Sequence, residues 1–139
     1  MGRPHALTVV LTVLAYVIST FAVQATSHFA INADHYRTLT FLRDQPIFAF
    51  GVLSMVVQGT VFGLLFPVFN GGRPTIRNGL LFSWTLGAFL ASYIVLGESG
   101  KYAVPSVASW IRVELLAAAA QFTLFGVLLS LVHRRRFLT

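Results

Sequence analysis

Apolar residues in this chain fall into four long runs, at about 6–29, 46–69, 78–96 and 111–132, separated by short polar stretches. A bilayer hydrocarbon core about 30 Å thick is crossed by roughly 20 apolar residues in a helix, and each run meets that length. None of the runs alternates apolar with polar residues, and an open sheet edge cannot persist in lipid, so strands are excluded. The pattern predicts an all-α integral membrane protein: a four-transmembrane-helix bundle forming a single domain over 1–139.

The connections carry their own signals. Residues 30–45 are polar and mixed in charge. Asn70-Gly71-Gly72-Arg73-Pro74 reads as a tight turn, with glycines to reverse the chain and a proline that ends helix. Residues 97–110 form a short connection ending in Trp110, read with Tyr36 and Tyr102 as an outer aromatic belt. Arg3, Arg73, Arg77 and the run Arg134, Arg135 and Arg136 all fall on one side of the four spans. The other side holds Arg37, Arg43, Lys101 and Arg112, offset by Asp34, Asp44, Glu98 and Glu114. Cytoplasmic loops carry an excess of Lys and Arg, so both termini are expected in the cytoplasm of an inner (plasma) membrane protein. Arg3, the following apolar stretch and Val23-Gln24-Ala25 also have the form of a secretory signal. The expectation is that this segment is kept as the first span.

Composition sharpens the class. Hydrophobic residues make up 56% of the chain and charged residues 10%, where a soluble domain carries roughly a quarter charged. This excludes a soluble enzyme and a disordered tail. There is no cysteine, which excludes thiol redox chemistry and Cys-ligated metal. The net charge of +6 fits juxtamembrane arginines facing anionic lipid. No basic helix with interleaved aromatics occurs, so nucleic acid is not an expected partner.

A repeat is visible in the second and fourth runs. Gln58-Gly59-Thr60-Val61-Phe62-Gly63 and Gln121-Phe122-Thr123-Leu124-Phe125-Gly126 share Gln, Thr, Phe and Gly at an offset of 63 positions. Upstream, His35-Tyr36 parallels Lys101-Tyr102. The expected architecture is two tandem helical hairpins, 1–72 and 73–139, related by a pseudo-two-fold along the membrane normal. Small residues (Gly59 with Gly63, Gly87 with Ala91, Ala88 with Ser92, and the alanines 117–120) suit close helix approach. Pro67 is expected to kink the second span.

The polar residues give the candidate sites. Gln58 and Gln121 lie roughly 17 Å into their helices at 1.5 Å per residue, near the bilayer centre. A primary amide there needs partners, either each other and Thr60 and Thr123, or a ligand path. Gln24 and His28 share a helix face, as do Glu114 and Gln121, and Glu98 ends the third span nearby. With Arg112, His35 and Asp34 from the loops, Gln24, His28, Glu98, Glu114 and Gln121 outline an outward-facing polar mouth, and Gln58 with Gln121 marks the bundle interior. The bland alternative is an interfacial network pairing Glu98 with Lys101 and Glu114 with Arg112. His28 and Glu114 are weak candidates for a metal, since their spacing matches no ligand motif. No two histidines face each other at mid-depth, so haem and other cofactors are not expected. The phenylalanines at Phe48, Phe50, Phe62, Phe66 and Phe69 read as a lipid-facing stripe, and the Trp84 indole N–H needs a partner.

No GxSxG, P-loop or Rossmann pattern occurs, and an enzyme is not expected. An intramembrane charge is the usual mark of a proton relay, and the first span has none. The favoured reading is an accessory or assembly subunit packing against other membrane proteins or itself. The alternatives are a small transporter or channel, or a ligand-binding membrane protein using the polar mouth.

Overall fold

A computed structural model describes residues 5–43 and 45–134, and those residues are all helix and connection, without strands. Arg3, Asp44, Arg135 and Arg136, used above for orientation, lie outside the described residues. Four helical stretches, Ala6–Ile31, Phe48–Asn70, Ile76–Lys101 and Val107–Arg134, are long and apolar enough to cross a membrane. Their bounds lie within two residues of the sequence expectation in the first two; the third runs on to Lys101, and the last differs as well. There, helix begins at Val107 and takes in Trp110.

The elements are α1 (Ala6–Thr26), a π-helical turn π1 (Ser27–Ile31), α2 (Ala33–Arg37), α3 (Phe48–Asn70), α4 (Ile76–Ser92), a second π-turn π2 (Tyr93–Glu98), α5 (Ser99–Lys101) and α6 (Val107–Arg134). α3 runs through Pro67 and ends at Gly71, whose φ of +66° is the left-handed conformation a glycine adopts freely; its N–H returns to the Pro67 carbonyl. After the turn, the Thr75 side chain caps α4 by accepting from the Asn78 N–H. One end of the bundle therefore carries this turn with His5 and Arg134. The other carries the π-turns and the short helices. They are called the turn end and the loop end below.

Three seams hold the helices: α3 against α1, α1 against α6, and α6 against α4. Glycines let the backbones approach. A Cβ on Gly59 would stand 2.9 Å from the Val13 Cα in α1, and one on Gly79 would stand 2.3 Å from the Gly126 carbonyl oxygen in α6. In lipid, helices associate through such close approach rather than by hydrophobic exclusion. Gly87 is filled on its α6 side by the Phe122 ring.

α3 and α4 meet chiefly near the turn end, where Phe82 packs on Phe62, Phe66 and Phe69 at 6.0, 5.3 and 5.2 Å between ring centroids. Towards the loop end they diverge. The bundle is thus an arc, α3–α1–α6–α4, with one open side. The turn-end half is filled by an aromatic core of Tyr16, Phe62, Phe66, Phe82, Phe122 and Phe125. Two of the phenylalanines read as lipid-facing, Phe62 and Phe66, are buried in that core, whereas Phe48, Phe50 and Phe69 are exposed. The reason is their shared i, i+4 face with Gly59 and Gly63, which turns towards α1.

Candidate functional site

The face that α1 buries is mostly polar: Thr8, Thr12, Tyr16 and Ser19 point inward, while Leu7, Val10, Leu14, Ile18 and Phe21 point outward. At helical spacing this places a line of hydroxyls down the bundle interior. Near the turn end, Thr12 Oγ1 meets His133 Nε2 at 3.1 Å. At mid-depth Tyr16 is the centre. Its hydroxyl donates to Gln58 Oε1 at 2.5 Å and accepts from Gln121 Nε2 at 3.4 Å. Gln121 Nε2 also donates to Thr20 Oγ1, and Gln121 Oε1 accepts from Gln24 Nε2, both at 3.0 Å. Gln58 Nε2 donates to Ser54 Oγ at 3.0 Å.

The two glutamines expected to bond each other or the neighbouring threonines are instead joined through Tyr16. Thr60 and Thr123 turn back to the carbonyls of Val56 and Ala119 on their own helices. Thr123 also accepts the Trp84 indole N–H at 3.1 Å, which supplies that group's partner.

At the loop end, His28 Nδ1 lies 3.0 Å from the Gln24 carbonyl oxygen, and the His28 ring stacks on Tyr36 with centroids 3.6 Å apart. The Tyr36 hydroxyl donates to Glu114 Oε1 at 2.7 Å. Burial raises the Tyr36 phenol above its ordinary pKa, and the Glu114 carboxylate raises it further, so the hydroxyl keeps its proton and donates. Among the described residues the only ion pair is Arg37 with Asp34. The expected pairs Glu98–Lys101 and Glu114–Arg112 are therefore not made within salt-bridge distance. Arg112 is exposed on the opposite side of α6 from Glu114, because residues two apart on a helix do not share a face.

The expected aromatic belt also differs. Tyr36 and Trp110 are buried, and Tyr102 is partly exposed. The Trp110 indole donates to the Ile94 carbonyl in π2, at 3.2 Å. A π-turn shifts the usual helical hydrogen bonds, and Trp110 takes up a carbonyl there.

Between these elements lies a cavity of about 810 Å³. Its floor is Tyr16, Thr20, Gln24, Glu114 and Gln121 on α1 and α6. Gly51, Ser54, Met55 and Gln58 form the α3 wall, and the segment from Phe89 to Val95 forms the α4–π2 wall. A second cavity of about 700 Å³ adjoins it, sharing Phe21, Gln24 and Met55 and reaching His28, Arg43, Glu98 and Tyr102. All six sequence candidates line one or other chamber: Gln24, Gln58, Glu114 and Gln121 the first, His28 and Glu98 the second. Gln24 lines both. The residues not foreseen are Tyr16, Thr20, Ser54 and Tyr36.

His28 and Glu114 are separated by Tyr36, which touches both, and among the described residues no three metal-ligating side chains come together. Compared with known proteins, the chain matches no family model, no curated protein and no solved structure.

Proposed function

We propose that this chain is a small polytopic membrane protein that holds an amphipathic ligand, taken sideways from the bilayer, in the cleft between α3 and α4. The observation that carries this reading is the 810 Å³ cavity: its floor is hydrogen-bonding, its lining is mostly apolar, and its open side is the seam where α3 and α4 diverge. Ligand sites are characteristically concave and mostly apolar, with a few fixed polar groups that set orientation. The closed aromatic half below Tyr16 favours a cup over a through-path, which supports binding above a channel.

Positive-inside bias supports an orientation in which the turn end, with Arg73, Arg77 and Arg134, is cytoplasmic and the cleft lies in the outer half of a plasma membrane. Tandem duplication supplies a reason for the open seam. Each half has the order long helix, π-turn, short helix, long helix. Phe62 and Phe125, equivalent at the 63-residue offset, meet edge to face with centroids 4.9 Å apart, as residues beside a pseudo-two-fold would. Under that symmetry the α1–α6 seam corresponds to α4–α3. The first is sealed at mid-depth by Gln121 bonding Tyr16, Thr20 and Gln24; across the second Asn78 donates to Asn70 at the turn end, and Gln58 turns inward to Tyr16 instead.

The accessory-subunit reading rests on small size, short loops, the lack of a buried charged centre and the small-residue faces. Gly59, Gly63, Gly79, Gly87 and Gly126 all spend their close approach on helices of this same chain, which shifts support towards ligand binding.

The test uses the protein in phosphatidylcholine nanodiscs with the neutral fluorophore N-phenyl-1-naphthylamine. Saturable binding is expected, and Ala118→Trp, which fills the cavity from α6, should abolish it while leaving the helical circular dichroism unchanged. A wild-type protein with no saturable binding, or a folded Ala118→Trp that binds equally, overturns the reading.

A further inference from the structure

We infer that the ligand of this cleft is a cationic amphipath, a monocation carrying an alkyl or aromatic tail, and that Glu114 is the residue that selects its charge. The inference rests on the ligand-binding reading and gives it a chemical class.

Three observations converge on Glu114. It is 8% exposed, on α6, about 10 Å into the helix from Val107 at the rise of an α-helix, and it lines the cavity. Among the described residues its one hydrogen-bond donor is the neutral Tyr36 hydroxyl, on Oε1. None of the cavity's lining residues is Lys, Arg or His. His35 packs edge-on against Tyr36, with its Nδ1 3.2 Å from Ser109 Oγ, and does not line the cavity. Arg112 is exposed and lines a different cavity on the far side of α6. Arg43 and His28 belong to the adjoining chamber. Lys101 acts on Glu98, and Glu98 adds a second negative charge within electrostatic reach of Glu114.

A carboxylate withdrawn from water and lacking a cationic partner is costly, and proteins ordinarily pair such groups. In this cavity the missing partner is a ligand's cation. The walls suit the same chemistry. Phe21, Phe89, Tyr93 and Phe122 surround the space, and aromatic faces attract quaternary or primary ammonium groups. The lateral opening selects a molecule that already partitions into the bilayer, with its charged head drawn inward to Glu114 and its tail left against α3 and α4. An anionic amphipath would meet the Glu114 carboxylate, and a purely apolar one would leave that carboxylate without a cation.

The experiment is displacement of N-phenyl-1-naphthylamine from wild-type protein in phosphatidylcholine nanodiscs at pH 7.5. The competitors are dodecyltrimethylammonium and dodecyldimethylamine N-oxide, which share a chain length and differ in net head charge. The cation should compete about 30-fold more strongly or better, the span expected for a buried charge partner. Glu114→Gln should erase that preference, read as the ratio of the two amphipaths' affinities in direct titrations; Glu98→Gln should reduce it less. Equal competition by the two heads in wild-type protein overturns the inference and leaves the binding reading standing, and this arm needs no variant to fold. Retained cation preference in a folded Glu114→Gln also overturns it. Failure of the fluorophore to bind wild-type protein removes the underlying reading, and the inference with it.

Discussion

The hydroxyl of Tyr16 sits between Gln58 and Gln121, donating to the first and accepting from the second, and so ties α1 to α3 and to α6 at one point. Removing that oxygen orphans part of both amides, while the ring keeps its contacts with Phe62 and Phe125 at 5.1 and 4.8 Å. Tyr16→Phe should therefore lower stability by about 1 to 2 kcal/mol, the upper range for polar contacts between membrane helices. Thermal unfolding in detergent, followed by circular dichroism, measures it. A double-mutant cycle with Gln58→Ala should show coupling; additive losses would mean that the short 2.5 Å contact does little.

The glycine contacts give a sharper contrast. A Cβ on Gly79 would meet the Ser130 Oγ at 1.9 Å and the Gly126 carbonyl oxygen at 2.3 Å, whereas a Cβ on Gly51 meets nothing within 4 Å. Gly79→Ala should cost about 1 to 3 kcal/mol by forcing α4 away from α6. Gly51→Ala should be neutral or slightly stabilising, since alanine favours helix. Equal melting temperatures for the two variants would contradict the packing of α4 on α6.

Much of this architecture is legible in the order of residues, and what is not has a physical reason. Hydropathy places the spans because lipid imposes one length and one kind of hydrogen bonding on every crossing segment. The offset between Gln58 and Gln121 flags two amides that need partners. Their real partner, Tyr16, is hidden in the sequence because a tyrosine in an apolar run reads as hydrophobic bulk. The line Thr8, Thr12, Tyr16 and Ser19 had the helical spacing that could have exposed it. Phe62 and Phe66 cannot be told from Phe48 and Phe50 by type; only the neighbouring Gly59 and Gly63 mark their face as the buried one. The open α3–α4 seam is invisible to periodicity, since it depends on which pairs of helices touch.

At alkaline pH the loop end should weaken for a specific reason. The Tyr36 phenol is raised by burial first and by Glu114 second. A group raised in the folded state stabilises below its unfolded pKa, about 10 for tyrosine, and that contribution is lost as pH climbs towards the folded value. Stability should thus fall with pH above about 10 in the wild type. Tyr36→Phe should start less stable, because Glu114 loses its donor, and show a shallower alkaline decline. Tyrosinate absorbance should also lose one late-ionising component in that variant. An unchanged titration curve would mean that Tyr36 is not held against Glu114.

Orientation decides which compartment the cleft faces, and the absence of cysteine makes it directly measurable. Arg73 lies in the turn between α3 and α4, and Lys101 ends α5 at the opposite end of the bundle; both are exposed. Single replacements Arg73→Cys and Lys101→Cys remove one charge each from ends that keep other charged groups, so the topology should survive them. In intact cells a membrane-impermeant maleimide should label Lys101→Cys at once. Arg73→Cys should react only after permeabilisation if the arginine-rich end faces the cytoplasm, as positive-inside bias proposes. The reverse pattern would turn the cleft towards the cytoplasm and make its ligand one supplied from the inner leaflet. Labelling of both from outside would show that α4 does not cross the bilayer, and the lateral opening between α3 and α4 would then face water rather than lipid.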